Sequence, residues 1–177
     1  MEQARSAKNE QAIHDLESIA PYASGKTLVP VKDLLLQRKW LNFFGGAAYQ
    51  RPDASFEGAA VQLSPEYTDE DVSQVWKAQD LSAEKLLSAV LTVDLTHVKQ
   101  LKVPLILFLG RHDYNLSATV AAEWFAGIKA PSKQLVWFEQ SGHEMMAEEP
   151  GKTLLSLVRY ARPIAERAGD AAPDGAR

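Results

Sequence analysis

The sequence predicts an α/β fold in which residues 1–100 form helices and loops and residues 101–167 form a β-α-β-α unit. Three observations lead to this prediction. Apolar residues recur at helical spacing through the first hundred residues, two short apolar runs follow without polar alternation, and a segment of helical pattern separates those runs. The last residues, 168–177, are rich in Ala, Gly, Asp and Pro, and we expect them to be disordered.

The predicted helical region begins with an amphipathic pattern over residues 2–20, which Pro21 ends. A loop around Ser24 leads to a second helix over residues 31–44, where Gly45 marks the end because glycine readily adopts the left-handed conformation that closes helices. Both helices carry apolar faces that need a packing partner.

Residues 49–67 show little periodicity and are predicted to be mostly loop. Thr68 is a typical helix N-cap, because its hydroxyl precedes three carboxylates that suit the positive end of a helix dipole. We expect that helix to run through Trp76, a separate one to start at Asp80 or Ser82 and reach about Val90, and a further short one to cover residues 94–100.

The character of the chain changes at residue 102. Pro104 opens a predicted strand over residues 104–109, a helix follows over 117–128, and a second strand covers 135–138. A final helix is predicted over residues 150–165, with a proline in its first turn. Four apolar residues of that helix are predicted to face the core: Leu154, Leu155, Leu157 and Val158.

Composition excludes several classes of function. A chain of 177 residues with 46% hydrophobic content can bury one core, and its net charge of −4 is mixed along the chain, which argues against a nucleic-acid partner. Without cysteine there is no disulfide, thiolate metal site or cysteine nucleophile. No cofactor or metal motif occurs, no apolar run is long enough for a membrane span, and we expect a cytoplasmic protein.

Asp113 and His143 are the candidate catalytic residues, because each follows one of the two apolar strands. A strand, a helix and a second strand form a crossover that makes the strands parallel, so their carboxyl ends share one edge. An aspartate there can orient a histidine, and the histidine can then remove a proton from a hydroxyl.

Each candidate also has a purely structural interpretation. A lone aspartate after a strand, such as Asp113, is more often a turn residue that bonds its own backbone, and a lone histidine is more often a surface residue or one whose hydrogen bonds are satisfied. Neighbouring His112 is predicted to be structural, and His14 and His97 to be solvated. An aromatic set favours core packing over the lining of a substrate pocket: Trp40, Phe43, Phe44 and Tyr49.

Three segments have the most specific sequence pattern in the chain: 103–115 (VPLILFLGRHDYN), 130–143 (APSKQLVWFEQSGH) and 148–150 (EEP). They resemble the α/β-hydrolase superfamily and, within it, the proline iminopeptidase-like branch. Residues 39–41, 45–46 and 65–68 resemble the helical cap of that branch. The resemblance implies that Asp113 and His143 are the acid and base of a triad, in an enzyme that releases N-terminal residues from peptides or acts on small acyl compounds.

The nucleophile of such a triad is missing from the chain. A nucleophile elbow needs Gly-x-Ser-x-Gly between a strand and a helix, and none of the twelve serines has that setting. The His-Gly-Gly-Pro-type oxyanion segment of the family is absent as well. We therefore expect a helical cap followed by the last two strands of a partial α/β-hydrolase fold, with negligible activity of its own.

Three hypotheses follow. The chain is the C-terminal part of a hydrolase whose small-molecule or peptide substrate is bound by the complete enzyme. Alternatively, it is a non-catalytic module that self-associates through an unpaired sheet edge or binds another partner. A third hypothesis is a disrupted gene or a misplaced start. Glu57 and Glu66 are candidates for meeting a substrate amine, although solvated acidic residues are the simpler interpretation.

Overall fold

The computed structural model describes residues 1–21, 29–52 and 61–170. It divides into two compact units. Unit 1 consists of Met1–Gly45 and Gln50–Asp94, and unit 2 of Gly46–Tyr49 and Leu95–Arg177. The predicted loop at Ser24 lies outside the described residues. That residues 1–100 correspond to a cap region stays a prediction, since compactness says nothing about descent.

Unit 1 is helical where it is described. Its helices are α1 (Glu2–Ser6), α2 (Glu10–Ser18), α3 (Val31–Phe43) and α4 (Asp69–Val90). The predicted end of the second helix is confirmed, because Gly45 follows α3 with a positive φ of 71°.

The single helix predicted over residues 2–20 is wrong, since the chain breaks between α1 and α2. Lys8 adopts a positive φ of 51°, and the Asn9 side chain accepts a hydrogen bond from the backbone nitrogen of Ala12 at 2.9 Å. Asparagine competes with the helix for backbone groups in this way, and it is a good N-cap for the same reason. The Asn9 cap therefore starts a new helix inside an uninterrupted apolar pattern.

The small core of unit 1 is built around Trp40. Its ring packs with Ala4 and Ala12, and Nε1 donates a hydrogen bond of 2.9 Å to Oδ2 of Asp15. This hydrogen bond is the main reason why the pKa of Asp15 lies below its ordinary value, and Gln11 adds to the effect. Core packing, not a pocket lining, is the role the structure gives Trp40.

Helix α4 is one continuous helix of 22 residues, so the predicted interruption before residue 80 is wrong. No glycine or proline occurs between Asp69 and Val90, and a change of apolar pattern alone does not stop a helix. The predicted start is confirmed by a capping box, in which Thr68 and Asp71 each bond the backbone nitrogen of the other. Hydrogen bonds from Thr68 lower the pKa of Asp71.

The short helix predicted over residues 94–100 is also wrong. The backbone there pairs with Lys129, whose nitrogen donates to Lys99 and whose oxygen accepts from Leu101 at 2.7 Å. Gln100 consequently forms an isolated parallel bridge with Lys129. Tertiary pairing thus takes up the backbone groups that a local helix needs.

Unit 2 contains the predicted crossover. Strand β1 (Leu105–Gly110), helix α5 (Ala118–Gly127) and strand β2 (Lys133–Phe138) follow one another, and the strands pair in parallel from Leu105 opposite Lys133 to Gly110 opposite Phe138. The parallel arrangement expected from the sequence is confirmed. Within the described residues the sheet has these two strands.

Lys133, the first residue of β2, is hydrogen-bonded to the C-terminal end of α5. Its Nζ donates hydrogen bonds to the backbone oxygens of Phe125 and Ile128, at 2.6 and 2.7 Å. These oxygens lie at the end of α5, where carbonyl groups lack helical partners and carry the negative end of the dipole. The first residue of β2 therefore caps the helix that precedes it.

The C-terminal region is helical but interrupted. It comprises α6 (Met145–Glu148), α7 (Pro150–Ser156), a wider π turn (Leu157–Ala161) and α8 (Arg162–Ala168). Pro163 cannot donate to the preceding turn, and a π turn is one way for a helix to accommodate that loss. The expected disorder from residue 168 is wrong at its start, because Ala168 is helical and Gly169 caps the helix with a φ of 72°.

The apolar face predicted for the last helix does not point into the core. Leu154 and Leu155 are 62% and 70% exposed, and Leu157 and Val158 are about half exposed. Thr153 and Ser156 are buried instead. The helix therefore turns these small polar residues inward, whereas periodicity alone pointed to the leucines. No helix among the described residues is long and apolar enough to cross a bilayer.

Candidate active site

Asp113 and His143 lie side by side beyond the carboxyl ends of β1 and β2. Nδ1 of His143 is 2.9 Å from Oδ2 of Asp113. The Asp113 side chain is 7% exposed and the His143 side chain 32%. The structure therefore brings the two candidate residues together, with the carboxylate shielded and the imidazole partly open to solvent.

The carboxylate of Asp113 serves two purposes. Its Oδ1 accepts hydrogen bonds of 2.9 Å from the backbone nitrogens of Asn115 and Leu116, while Oδ2 faces His143. Asp113 therefore stabilises a turn with one carboxylate oxygen and contacts His143 with the other. Because the turn fixes one oxygen, the other oxygen is presented to His143 in a defined direction.

This geometry defines what the imidazole can do. When Asp113 is ionised its carboxylate only accepts hydrogen bonds, and Nδ1 of His143 is then the donor of this contact. In the neutral ring Nε2 is then the basic nitrogen. A ring held in this tautomer can take a proton from a hydroxyl, and the carboxylate stabilises the imidazolium that forms.

Two glycines allow the loops to approach so closely. A Cβ atom on Gly110, at the end of β1, would collide with the backbone oxygen of Gly142, and a Cβ on Gly142 would collide with the backbone oxygen of Ala47. A side chain at position 110 would push the His143 loop away from β1, and one at position 142 would push that loop away from Ala47. The site therefore requires glycine at both positions.

Residues 46–49, here called the 46–49 segment, connect the two loops. The backbone oxygen of Gly46 accepts from the nitrogen of Tyr114 at 3.0 Å, and that of Ala47 accepts from the nitrogen of His143 at 2.6 Å. The first bond reaches the Asp113 loop and the second the His143 loop. Sequence reasoning missed this segment, because Gly-Gly-Ala-Ala after a helix indicates only a helix end.

The Tyr49 ring extends the same contact. It stacks on the imidazole of His112 with 3.9 Å between ring centroids and 10° between ring planes. The backbone nitrogen of His112 also donates to Ser141 at 2.9 Å. The structural role predicted for His112 thus has a specific form, while Tyr49 belongs to unit 2 and not to the aromatic cluster around Trp40.

Two adjacent glutamates hold the loop that precedes His143. Glu148 accepts from the backbone nitrogens of Tyr49, at 2.6 Å, and Gly142, at 2.8 Å. Glu149 accepts from the hydroxyl of Ser141 at 2.7 Å and from the backbone nitrogen of Gln140 at 3.2 Å. Glu148 and Glu149 belong to the Glu-Glu-Pro segment that contributes to the family resemblance. The sequence of this segment does not predict their hydrogen bonds to the His143 loop.

An ion pair joins the first residues after the two strands. Arg111 makes two hydrogen bonds to Glu139, of 2.8 and 2.9 Å, and its guanidinium lies 3.8 Å from the centre of the Trp137 ring. These hydrogen bonds lower the pKa of Glu139 and raise that of Arg111. The pair lies at the surface and links the bases of the Asp113 and His143 loops.

The other candidates stay outside this arrangement. His14, His97 and Glu66 are exposed, and Glu57 lies outside the described residues. No group of three or more potential metal ligands occurs in the parts of the chain that the structure describes. Ser141, the serine nearest to His143 in sequence, is fully buried and donates to Glu149, so its hydroxyl has a structural role.

Comparison with known proteins gives one partial likeness. No family model matches the chain, and no solved structure matches it. A segment of 67 residues, 38% of the chain, is 34% identical to a protein of Bacillus subtilis (strain 168) named "Probable aminopeptidase YbaC". The match covers 21% of that protein, so the chain matches about a fifth of its length. The likeness indicates a relation to hydrolases.

The Arg111–Glu139 pair predicts a pH effect. A carboxylate whose pKa is lowered on folding contributes stability that is present above its ordinary pKa of 4.5 and is lost as the pH falls through the lowered value. Glu139→Gln should therefore reduce the loss of unfolding free energy that urea titrations detect between about pH 6 and pH 3. Because both side chains are exposed, we expect a small effect.

Arg111→Met provides the matched control, since it removes the charge and keeps an unbranched aliphatic side chain. It should reduce the acid dependence to the same extent as Glu139→Gln, and the double variant should add little to either. A Glu139→Gln protein with the full acid dependence of the original would show that the pair makes no contribution.

Proposed function

We propose that this chain carries the acid and base of a serine-hydrolase triad, Asp113 and His143, and that it derives from the C-terminal part of an α/β-hydrolase. The observation that carries the proposal is the 2.9 Å contact between these side chains beyond the carboxyl ends of two neighbouring parallel strands. Open parallel sheets typically keep their catalytic groups at this edge.

The proposed reaction class is hydrolysis at a peptide N-terminus. Two features support it: the resemblance of residues 103–115 and 130–143 to proline iminopeptidase-like enzymes, and the partial likeness to a probable aminopeptidase. Within this proposal the substrate is a small peptide or a related acyl compound that is bound by the complete enzyme.

Each residue has a defined role in the proposed reaction. Asp113 keeps the proton on Nδ1, Nε2 of His143 removes the proton of a nucleophilic hydroxyl, and that hydroxyl attacks the substrate carbonyl. The resulting imidazolium, stabilised by Asp113, then gives its proton to the leaving amine. We infer that the hydroxyl comes from polypeptide other than these 177 residues, because the sequence holds no Gly-x-Ser-x-Gly.

The proposal gives the isolated chain negligible activity. In a serine protease, loss of the nucleophile alone lowers kcat by about 10⁶, and what remains comes from the oxyanion hole and substrate binding. The chain has no recognisable oxyanion segment either. Without a nucleophile and an oxyanion hole, Asp113 and His143 cannot produce an acyl intermediate.

A fusion tests the proposal by restoring the missing groups. The N-terminal part of the Bacillus subtilis protein would be joined ahead of this chain, and release of p-nitroaniline from aminoacyl p-nitroanilides would be measured. Turnover should appear, should fall to background with His143→Ala, and should fall by about 10⁴ with Asp113→Asn. Exposed His97 offers a matched control, and His97→Ala should leave the rate unchanged.

Two outcomes would contradict the proposal. A fusion that turns over substrate equally well after His143→Ala would remove His143 from the chemistry. Stoichiometric labelling of a serine by a fluorophosphonate probe in the isolated chain would show that the nucleophile is present after all.

A second candidate function, self-association, is favoured by two observations. Leu154 and Leu155 project from α7 into solvent, and exposed apolar side chains of this kind often mark an interface. The β1–β2 sheet has also two outer edges that pair with no other strand among the described residues.

Sedimentation velocity tests self-association directly. If the second candidate is right, the chain sediments as a dimer or larger species at micromolar concentration, and changing Leu154 and Leu155 together to Lys shifts it to the monomer. Leu63→Lys, at an exposed leucine of unit 1, is the matched control and should not do so. A monomeric original chain would rule this function out.

A further inference from the structure

We propose that Glu148 is a positioning residue, which holds the 46–49 segment against the His143 loop and thereby sets the orientation of the His143 imidazole. The inference rests on the proposed function, because it assigns Glu148 a role in the Asp113–His143 pair. Its basis is a closed set of hydrogen bonds around residues that are almost completely buried.

The backbone around the Glu148 carboxylate is largely buried. Ala47 and Ala48 are 6% and 1% exposed, and Gly142 is also buried. Backbone nitrogens in such a place need hydrogen-bond partners from the protein, since an unpaired buried donor costs free energy. The nitrogens of Tyr49 and Gly142 both find their acceptor in the one carboxylate of Glu148.

The Glu148 carboxylate accepts from two backbone donors at once. The two donors approach different oxygens, Tyr49 at Oε1 and Gly142 at Oε2. A carboxylate accepts at both oxygens and forms charge-assisted hydrogen bonds with both donors. A glutamine of the same shape must turn its NH₂ group toward one of them, so it can satisfy only one donor.

Glu148 acts on His143 through the backbone of Gly142 and of the 46–49 segment. Gly142 is the residue directly before His143, and the His143 nitrogen itself donates to Ala47 at 2.6 Å. Glu148 therefore fixes the backbone on the N-terminal side of His143 directly, and it holds in place the segment that accepts from His143. Because ring orientation depends on the backbone that carries it, loosening these bonds loosens the Nδ1 contact to Asp113.

Glu149 offers an internal comparison. It is the neighbouring residue and also binds the His143 loop, but through Ser141 and Gln140, and within the described residues it makes no hydrogen bond to the 46–49 segment. Loss of the Glu149 carboxylate should affect the hydrogen bonds of Gln140 and Ser141. Only loss of the Glu148 carboxylate should release the 46–49 segment.

The experiment compares Glu148→Gln with Glu149→Gln in the full chain by nuclear magnetic resonance. In Glu148→Gln, hydrogen exchange at the His143 amide should accelerate about tenfold to a hundredfold, as expected for loss of a charge-assisted hydrogen bond. The ring-current shifts that Tyr49 imposes on His112 should shrink, and the Nδ1 proton signal of His143 should move or broaden. In Glu149→Gln these three signals should stay close to those of the original chain.

A merely structural role would affect both variants alike, so equal changes at His143 would overturn the proposal, as would no change in Glu148→Gln. If Glu148→Gln does not fold, Glu148→Asp takes its place. The shorter carboxylate keeps the charge and reaches only one donor, so accelerated exchange at His143 is again required, and unchanged exchange overturns the proposal. These signals come from the isolated chain, whereas the proposed function is judged by turnover of the fusion, so each can fail without the other.

Discussion

Parallel pairing of β1 with β2 is the constraint on which the arrangement of unit 2 depends. The pairing ends with Gly110 opposite Phe138, and it continues beyond the strands because the Arg111 nitrogen donates to Phe138 at 2.8 Å. Both loops consequently start from the same edge, and Asp113 and His143 meet although thirty positions separate them in sequence. An antiparallel pairing would place the two loops at opposite ends of the sheet.

Close approach of backbone to backbone then determines which residues surround the pair. Because no side chain fits at Gly110 or Gly142, the loops approach each other closely and bury backbone groups. Such buried backbone nitrogens need hydrogen-bond acceptors from the protein. Carboxylates and carbonyls supply them, with Glu148 and Glu149 on one side and the 46–49 segment on the other. Steric fit and hydrogen bonds together hold the His143 loop against β1 and the 46–49 segment.

The sequence predicted those parts of unit 2 that depend on local pattern. The two apolar runs, the helix between them and the polar residues after each strand were enough to pair Asp113 with His143. The 46–49 segment escaped prediction because it lies about a hundred positions from Glu148, and no local pattern encodes a hydrogen bond over that distance. The exposure of Leu154 and Leu155 escaped it because periodicity identifies an apolar face and does not show what covers it.

We infer that Asp113 holds His143 in the tautomer with a basic Nε2. Nitrogen-15 spectra of the neutral histidine rings distinguish the two tautomers. We expect a protonated Nδ1 and an unprotonated Nε2 for His143, and loss of this preference in Asp113→Ala. A proton on Nε2 in the original chain, or an unchanged His143 spectrum in Asp113→Ala, would show that Asp113 does not set the tautomer.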